Sequence, residues 1–116
     1  MKVLLIGYPK CSTCKNASKF LEEKKIEYEY RNIVEECPKK EELKIWIKQS
    51  GYPIRKFFNT SGNVYKSLNL KEKMEHLSDE EKLDLLSSNG MLIKRPILIN
   101  GDQVLVGFKK EEWEKI

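Results

Sequence analysis

Lys2-Val3-Leu4-Leu5-Ile6-Gly7-Tyr8-Pro9-Lys10-Cys11-Ser12-Thr13-Cys14-Lys15 is the stretch that decides the fold. Lys2–Ile6 reads as a short buried strand, an unbroken aliphatic run that Gly7, Tyr8 and Pro9 bring to an end. Helical patterning begins at once. Cys14, Ala17, Phe20 and Leu21 fall on one face at helical spacing, while Lys15, Lys19, Glu22 and Glu23 cover much of the rest. Ser12 or Thr13 is placed to cap the helix start by accepting otherwise unpaired backbone N–H groups. The helix is expected to run to about Lys25.

Working outward, Ile26–Ile33 alternates apolar and polar residues through Ile26, Tyr28 and Tyr30, with Ile33 one place out of register, and reads as a second strand. Strand, crossover helix and strand make a βαβ unit, so the two strands should be parallel. Pro38 opens a helix with early acids whose buried side carries Leu43, Ile45, Trp46 and Ile47, and Gly51 with Pro53 stops it. Tyr65, Leu68 and Leu70 begin another apolar face. Ser78 with Glu81 three residues later fits a capping box heading a helix through Leu83, Leu85 and Leu86. Pro96–Ile99 is a third strand, Asn100-Gly101 a hairpin turn, Gln103–Val106 the returning strand, and Gly107 precedes a short closing helix carrying Trp113. The expected architecture is α/β: a four-stranded mixed sheet with packed helices and a helical insert over about residues 38–90, all in a single domain spanning 1–116.

Composition narrows the setting. The 116 residues carry 22 Lys and Arg against 18 Asp and Glu, a net charge of +4. The two signs are mixed along the chain, as in Glu22-Glu23-Lys24-Lys25, which reads as solvated surface, with no direct nucleic-acid face. The longest aliphatic run is Val3–Ile6, far short of a membrane span or a signal-peptide core, so no membrane partner and a cytoplasmic location are expected. Three cysteines, an odd number, argue against a structural disulfide framework.

Two of those cysteines form Cys11-x-x-Cys14. At the first turn of a helix, a Cys11 thiolate would face unpaired N–H groups and the positive end of the helix dipole, which lowers its pKa. Lys10 and Lys15 add positive charge nearby. Cys14, one turn on and on the inner face, can attack a sulfur bonded to Cys11 and release it as an intramolecular disulfide. Cys11 is therefore the candidate nucleophile and Cys14 the resolving thiol, with Ser12, Lys10, Lys15 and Pro96 as candidate substrate-binding residues. Zinc is the rival chemistry: Cys11, Cys14, Cys37 and His76 would supply four ligands, but their spacing matches no compact zinc motif. The reading assigns no metal and no bound cofactor; an external thiol reductant, such as thioredoxin, glutaredoxin or a low-molecular-weight thiol, restores the dithiol. Cys37 reads as a half-exposed thiol without a role. Lys94-Arg95-Pro96 starts the third strand. In a thiol-redox fold a cis proline often sits beside the active cysteines, and Arg95 could stabilise the thiolate or clamp an oxyanion.

The residues Tyr8-Pro9-Lys10-Cys11-Ser12-Thr13-Cys14-Lys15, Leu68-Asn69-Leu70-Lys71-Glu72-Lys73, Gly90-Met91-Leu92-Ile93-Lys94-Arg95-Pro96 and Val106-Gly107-Phe108 resemble the arsenate reductase-like (ArsC) family in its Spx/MgsR branch. The resemblance implies a thioredoxin-like, glutaredoxin-type fold with a helical insert, Cys11 as the family's nucleophile and Arg95 as its arginine before the cis proline. It implies two functional precedents. One is a thiol–disulfide oxidoreductase; the other is a redox-sensing transcriptional regulator that binds RNA polymerase. Family arsenate reductases hold the oxyanion with three arginines. Arg95 matches one, while Asn59 and Phe108 stand at the other two positions, which argues against arsenate as substrate.

Overall fold

A computed structural model describes residues 3–116, so Lys2 of the expected first strand lies outside the described residues. The chain runs β1 (Val3–Gly7), α1 (Ser12–Glu23), β2 (Tyr28–Asn32), α2 (Lys40–Ser50), α3 (Asn63–Ser67), α4 (Leu70–Lys73), α5 (Asp79–Ser88), β3 (Ile97–Asn100), β4 (Gln103–Val106) and α6 (Lys110–Trp113). Short 3-10 turns at Ile54–Phe57, Met74–His76 and Gly90–Leu92 connect the helical insert. The sheet order is β2-β1-β3-β4. β1 and β2 are parallel, with Val3 opposite Tyr28 and Gly7 opposite Asn32. β3 is antiparallel to both β1 and β4. This is the α/β four-stranded mixed sheet that the sequence pattern implied.

Side-chain alternation along the strands builds a core on each face of the sheet. Val3, Leu5, Leu98 and Leu105 pack with Ala17, Phe20 and Leu21 of α1 and Trp113 of α6. Ile6, Ile97, Val104 and Val106 face the other way, onto Leu43 and Trp46 of α2 and the buried residues of the insert, including Phe57, Phe58, Tyr65, Leu83 and Leu86. The insert is tied to the start of β3 by backbone bonds. The Lys94 N–H donates to Phe57 O at 2.7 Å, and the Asn59 N–H donates to Leu92 O at 2.7 Å. Ser78 and Glu81 form the expected capping box: the Glu81 N–H donates to Ser78 Oγ at 3.1 Å and the Ser78 N–H to Glu81 Oε1 at 3.0 Å.

Several sequence expectations are corrected. Neither Ser12 nor Thr13 caps α1; both lie inside the helix, and Cys11 occupies the N-cap position with extended φ −87° and ψ 119°. The second strand pairs only over Tyr28–Asn32, because Ile33 turns out of the ladder to become fully buried after donating its N–H to Gly7 O at 2.8 Å. Ile45 and Leu68 are exposed, since Leu43 and Trp46 fill the inner stripe of α2 and Tyr65 and Leu70 that of α3 and α4. The hairpin turns one residue later than expected. Asn100 pairs with Gln103, so Gly101 and Asp102 form the loop, and only Gly101 has a positive φ, 61°. Glycine at the first central position is what a II′-like turn requires, whereas the I′ reading needed positive φ at both.

Candidate functional site

β1 ends beneath the start of α1, and the turn between them is closed by the Cys11 N–H donating to Tyr8 O at 3.0 Å. This delivers Cys11 to the N-cap, half-buried, and places Cys14 one turn inside, 1% exposed. All three cysteines are free thiols. Gly7 makes this close fit feasible, because a side chain there would begin 3.0 Å from Cys14 Sγ.

The two thiols differ sharply in electrostatics. Burial pushes the Cys11 thiol up. Hydrogen bonding from the Cys14 side chain and backbone, the charge of Arg95 and the Thr13 N–H together outweigh burial, and Cys11 ends below the ordinary cysteine value. Thr13 and Cys14 are the second and third residues of the helix, the amides an N-cap side chain normally satisfies. Cys11 therefore stands where a serine or aspartate oxygen usually caps, and its anion is favoured there. Cys14 goes the other way. Burial leads, the Cys11 hydrogen bond and charge add to it, and the thiol is pushed up to about 12 despite the Tyr8 N–H that donates to its Sγ at 3.4 Å.

A cavity of about 380 Å³ opens at Cys11, lined by Thr13, Asn59, Ser61, Gly62, Asn63, Val64, Met91, Lys94 and Arg95. Arg95 sits with its guanidinium carbon 5.7 Å from the Tyr8 ring centroid, and its Nε and Nη1 atoms are buried without a partner in the chain. The Arg95–Pro96 peptide is cis, and Pro96, buried, accepts the Gly107 N–H at 2.8 Å through its carbonyl. Cys11, Cys14 and Arg95 are thus brought together. Lys10, Ser12 and Lys15 are exposed on the flank and do not line the cavity. The charge acting on Cys11 is that of Arg95. Asn59 lines the cavity, whereas Phe108 is taken into an edge-to-face cluster with Phe20 and Trp113 at centroid distances of 5.6 and 5.0 Å. Cys37 lies elsewhere, its thiol donating to Ser87 O at 3.4 Å. Among the described residues no three of His, Cys, Asp and Glu come together to hold a metal ion.

Sequence reasoning missed part of the site. The loop Asn59–Asn63, of which the sequence singled out only Asn59, supplies part of the cavity lining at Cys11, and Val64 and Met91 add to it. Tyr30 was read only as a strand residue. Its hydroxyl lies 3.2 Å from where a Cβ on Gly7 would stand, beside Cys14, and burial together with the charges of Cys14 and Cys11 raises its pKa. The only hint in the sequence was register: Tyr30 lies in β2 opposite Leu5, two residues before the strand end that flanks the cysteine turn.

Comparison with known proteins agrees with this geometry. The sequence model of the ArsC family matches residues 6–116. The chain is 50% identical over 115 residues to uncharacterized protein YusI of Bacillus subtilis (strain 168), covering 99% of this chain and 98% of that one. It is 30% identical over 110 residues to regulatory protein MgsR of the same organism, covering 95% of this chain and 86% of the relative. The crystal structure of an ArsC family related protein from Bacteroides fragilis superposes with a TM-score of 0.96 at 55% identity, over 99% of this chain and 97% of that one.

Proposed function

Because the chain belongs to the ArsC family, we propose that it works as a thiol–disulfide oxidoreductase in which Cys11 attacks and Cys14 resolves. The observation that carries this reading is the divergence of the two thiols: Cys11 at the cavity with a lowered pKa, Cys14 buried behind it and raised to about 12. In the first step the Cys11 thiolate forms a bond to one sulfur of a substrate disulfide. The other substrate sulfur leaves as thiolate and takes a proton from solvent. Forming the mixed disulfide removes the Cys11 charge and its hydrogen bond to Cys14, two of the three influences that raise Cys14. Cys14 then gives up its proton to solvent as it attacks Cys11 Sγ, with the Tyr8 N–H on its sulfur. The second substrate thiolate departs, leaving a Cys11–Cys14 disulfide and a substrate reduced by two electrons. An external thiol system returns the pair to the dithiol. Arg95 stabilises the Cys11 anion through its charge, and its Nε and Nη1, without partners in the chain, are donors left over for sulfur.

Arsenate is a poor fit. Of the three cations the family uses, this chain keeps Arg95, while Asn59 is neutral and Phe108 is committed to packing. Turnover of a small disulfide by wild type, its loss in Cys11→Ser, and a trapped mixed disulfide in Cys14→Ser together support the reading. Equal turnover by wild type and Cys11→Ser refutes it. A thiol-coupled assay with arsenate is expected to give no Cys11-dependent rate.

A second reading is favoured by the 30% identity to MgsR over 95% of the chain. Here the same pair is a switch: the Cys11–Cys14 disulfide changes affinity for a protein partner such as RNA polymerase. Pull-down with polymerase under reducing and oxidising conditions tests it, and no binding in either state removes it.

A further inference from the structure

Beside the Cys11 cavity lies a second, larger one of about 590 Å³, lined by Pro53, Arg55, Lys56, Phe58, Thr60, Tyr65, Lys71 and Lys94. Four of its eight lining residues are cations and none is acidic. Lys94 lines both cavities, and a third hollow joining Lys56 and Lys94 to Thr13 and Arg95 completes a continuous rim from Arg55 to the cysteine pair. We infer that this rim is a docking groove for an acidic peptide segment flanking the cysteine of a protein substrate. The inference rests on the oxidoreductase reading above.

Three observations carry it. First, the cations are uncompensated. The ion pairs among the described residues join Arg31 to Glu42, Lys40 to Glu80 and Asp84, and Lys44 to Glu80, all outside the groove. Like charges lining one groove repel one another, screened over a Debye length of about 8 Å, and an anionic occupant relieves that repulsion while gaining electrostatic steering toward the site. Second, the groove is held in place. The Lys94 N–H to Phe57 O and Asn59 N–H to Leu92 O bonds fix the Arg55–Phe58 turn against the Lys94-Arg95 segment, and Lys56 Nζ rests 4.6 Å from the Tyr52 ring centroid. Third, the aromatic floor is unsuited to nucleic acid. Phe58 and Tyr65 are 2% and 4% exposed, packed edge to face at 6.3 Å, and offer no ring face on which a base could stack. What the groove offers is amine and guanidinium groups around a hollow of about 590 Å³. Aspartate and glutamate side chains fit that chemistry, and a substrate seated there reaches Cys11 along the shared Lys94 edge.

The test compares two disulfide-containing peptides that differ only in carrying Asp and Glu, or Asn and Gln, beside the cysteine. For wild type the ratio of kcat/KM, acidic over neutral, is expected to be about tenfold or more and to shrink toward one as salt rises. In the double charge reversal Arg55→Glu with Lys71→Glu, both surface positions, the ratio is expected to fall to one or below. A wild-type ratio near one, or a preference that survives the double reversal, overturns the inference. Fluorescence anisotropy of the labelled acidic peptide on the Cys11→Ser protein reads docking without chemistry. Salt-sensitive binding there with no turnover by wild type indicts the oxidoreductase reading and leaves the groove supported. No binding there, or tighter binding of a single-stranded oligonucleotide than of the acidic peptide, refutes the groove.

Discussion

Gly7→Ala is the most direct test of how the strand end sets the chemistry of the pair. Gly7 cannot retreat: its backbone is paired opposite Asn32 in β2, and its carbonyl accepts the Ile33 N–H at 2.8 Å. An alanine Cβ would lie 3.0 Å from Cys14 Sγ, 3.1 Å from Cys14 Cβ and 3.2 Å from the Tyr30 hydroxyl. Favourable contacts between such atoms lie at about 3.5–4.0 Å, so Cys14 must give way by several tenths of an ångström. Overpacking of this kind costs about 1–3 kcal/mol, and the lower unfolded-state entropy of alanine returns about 0.4–1 kcal/mol. A net loss of about 1–2 kcal/mol corresponds to a fall in Tm of roughly 4–10 °C for a domain of this size. Because Cys14 supplies the two largest influences that lower the Cys11 pKa, displacing it raises that pKa. The assay is the pH dependence of alkylation at Cys11, followed by mass spectrometry, alongside thermal melts. Tyr30→Phe removes the hydroxyl and should make Gly7→Ala less costly, a coupling that a double-mutant cycle resolves. An alkylation midpoint that stays at the wild-type pH in Gly7→Ala would show that Cys14 does not govern Cys11, and the reasoning would fail.

Cys14, 1% exposed, is raised to about 12 when folded against an unfolded value of about 8.5. Between those pH values the unfolded chain has lost this proton and the native one has kept it, so stability falls with rising pH by about 1.4 kcal/mol per unit from this group. Denaturant midpoints across that range should show wild type losing stability faster than Cys14→Ala; parallel curves would contradict the assignment. Trp113→Ala should cost about 3–5 kcal/mol by chemical denaturation, because the fully buried indole packs edge-on to Phe20 and Phe108 and donates to Gly107 O at 3.1 Å. Gly90→Ala places a Cβ 2.1 Å from Ile33 O and 2.8 Å from its carbonyl carbon, so backbone must move. We expect no cooperative melting transition in that variant, and a near-native Tm would disprove the close approach.

Features fixed by local chemistry were legible in the sequence. The aliphatic run before Gly7, the stripe Cys14-Ala17-Phe20-Leu21, and Ser78 with Glu81 each carry their structure within a few residues; the stripe and the capping box are found as read, while the strand runs one residue further, through Gly7. Errors arose where two local solutions compete and tertiary contacts choose. Ile45 is as apolar as Leu43, but only one fits the inner stripe of α2 once Trp46 is seated. The hairpin centre moved from Asn100-Gly101 to Gly101-Asp102 because the β3–β4 register, set by core pairs such as Leu98 opposite Leu105, outranks the turn propensity of Asn-Gly. Cys11, Cys14 and Arg95 were nameable because helix position and the Arg-Pro step announce their chemistry. The lining formed by Ser61, Asn63 and Met91 was not, since those residues meet Cys11 only after the insert folds back onto the start of β3.

The N-cap substitution at the heart of the site has a thermodynamic consequence. Helix starts ordinarily spend their free amides on a serine, threonine, asparagine or aspartate oxygen. Here those amides, at Thr13 and Cys14, stabilise sulfur, and they favour its anion over the thiol. Stabilising the thiolate stabilises the reduced pair, and forming the Cys11–Cys14 disulfide forfeits that contribution along with the Arg95 attraction. Both effects make the pair more readily reduced, in the direction of an oxidant. The raised Cys14 pKa keeps the proton on that sulfur at neutral pH, so of the two thiols it is Cys11 whose anion the site favours. A chain built this way couples helix-start stability to redox state, and the coupling is available to a catalyst, which cycles through it, and to a switch, which reports it.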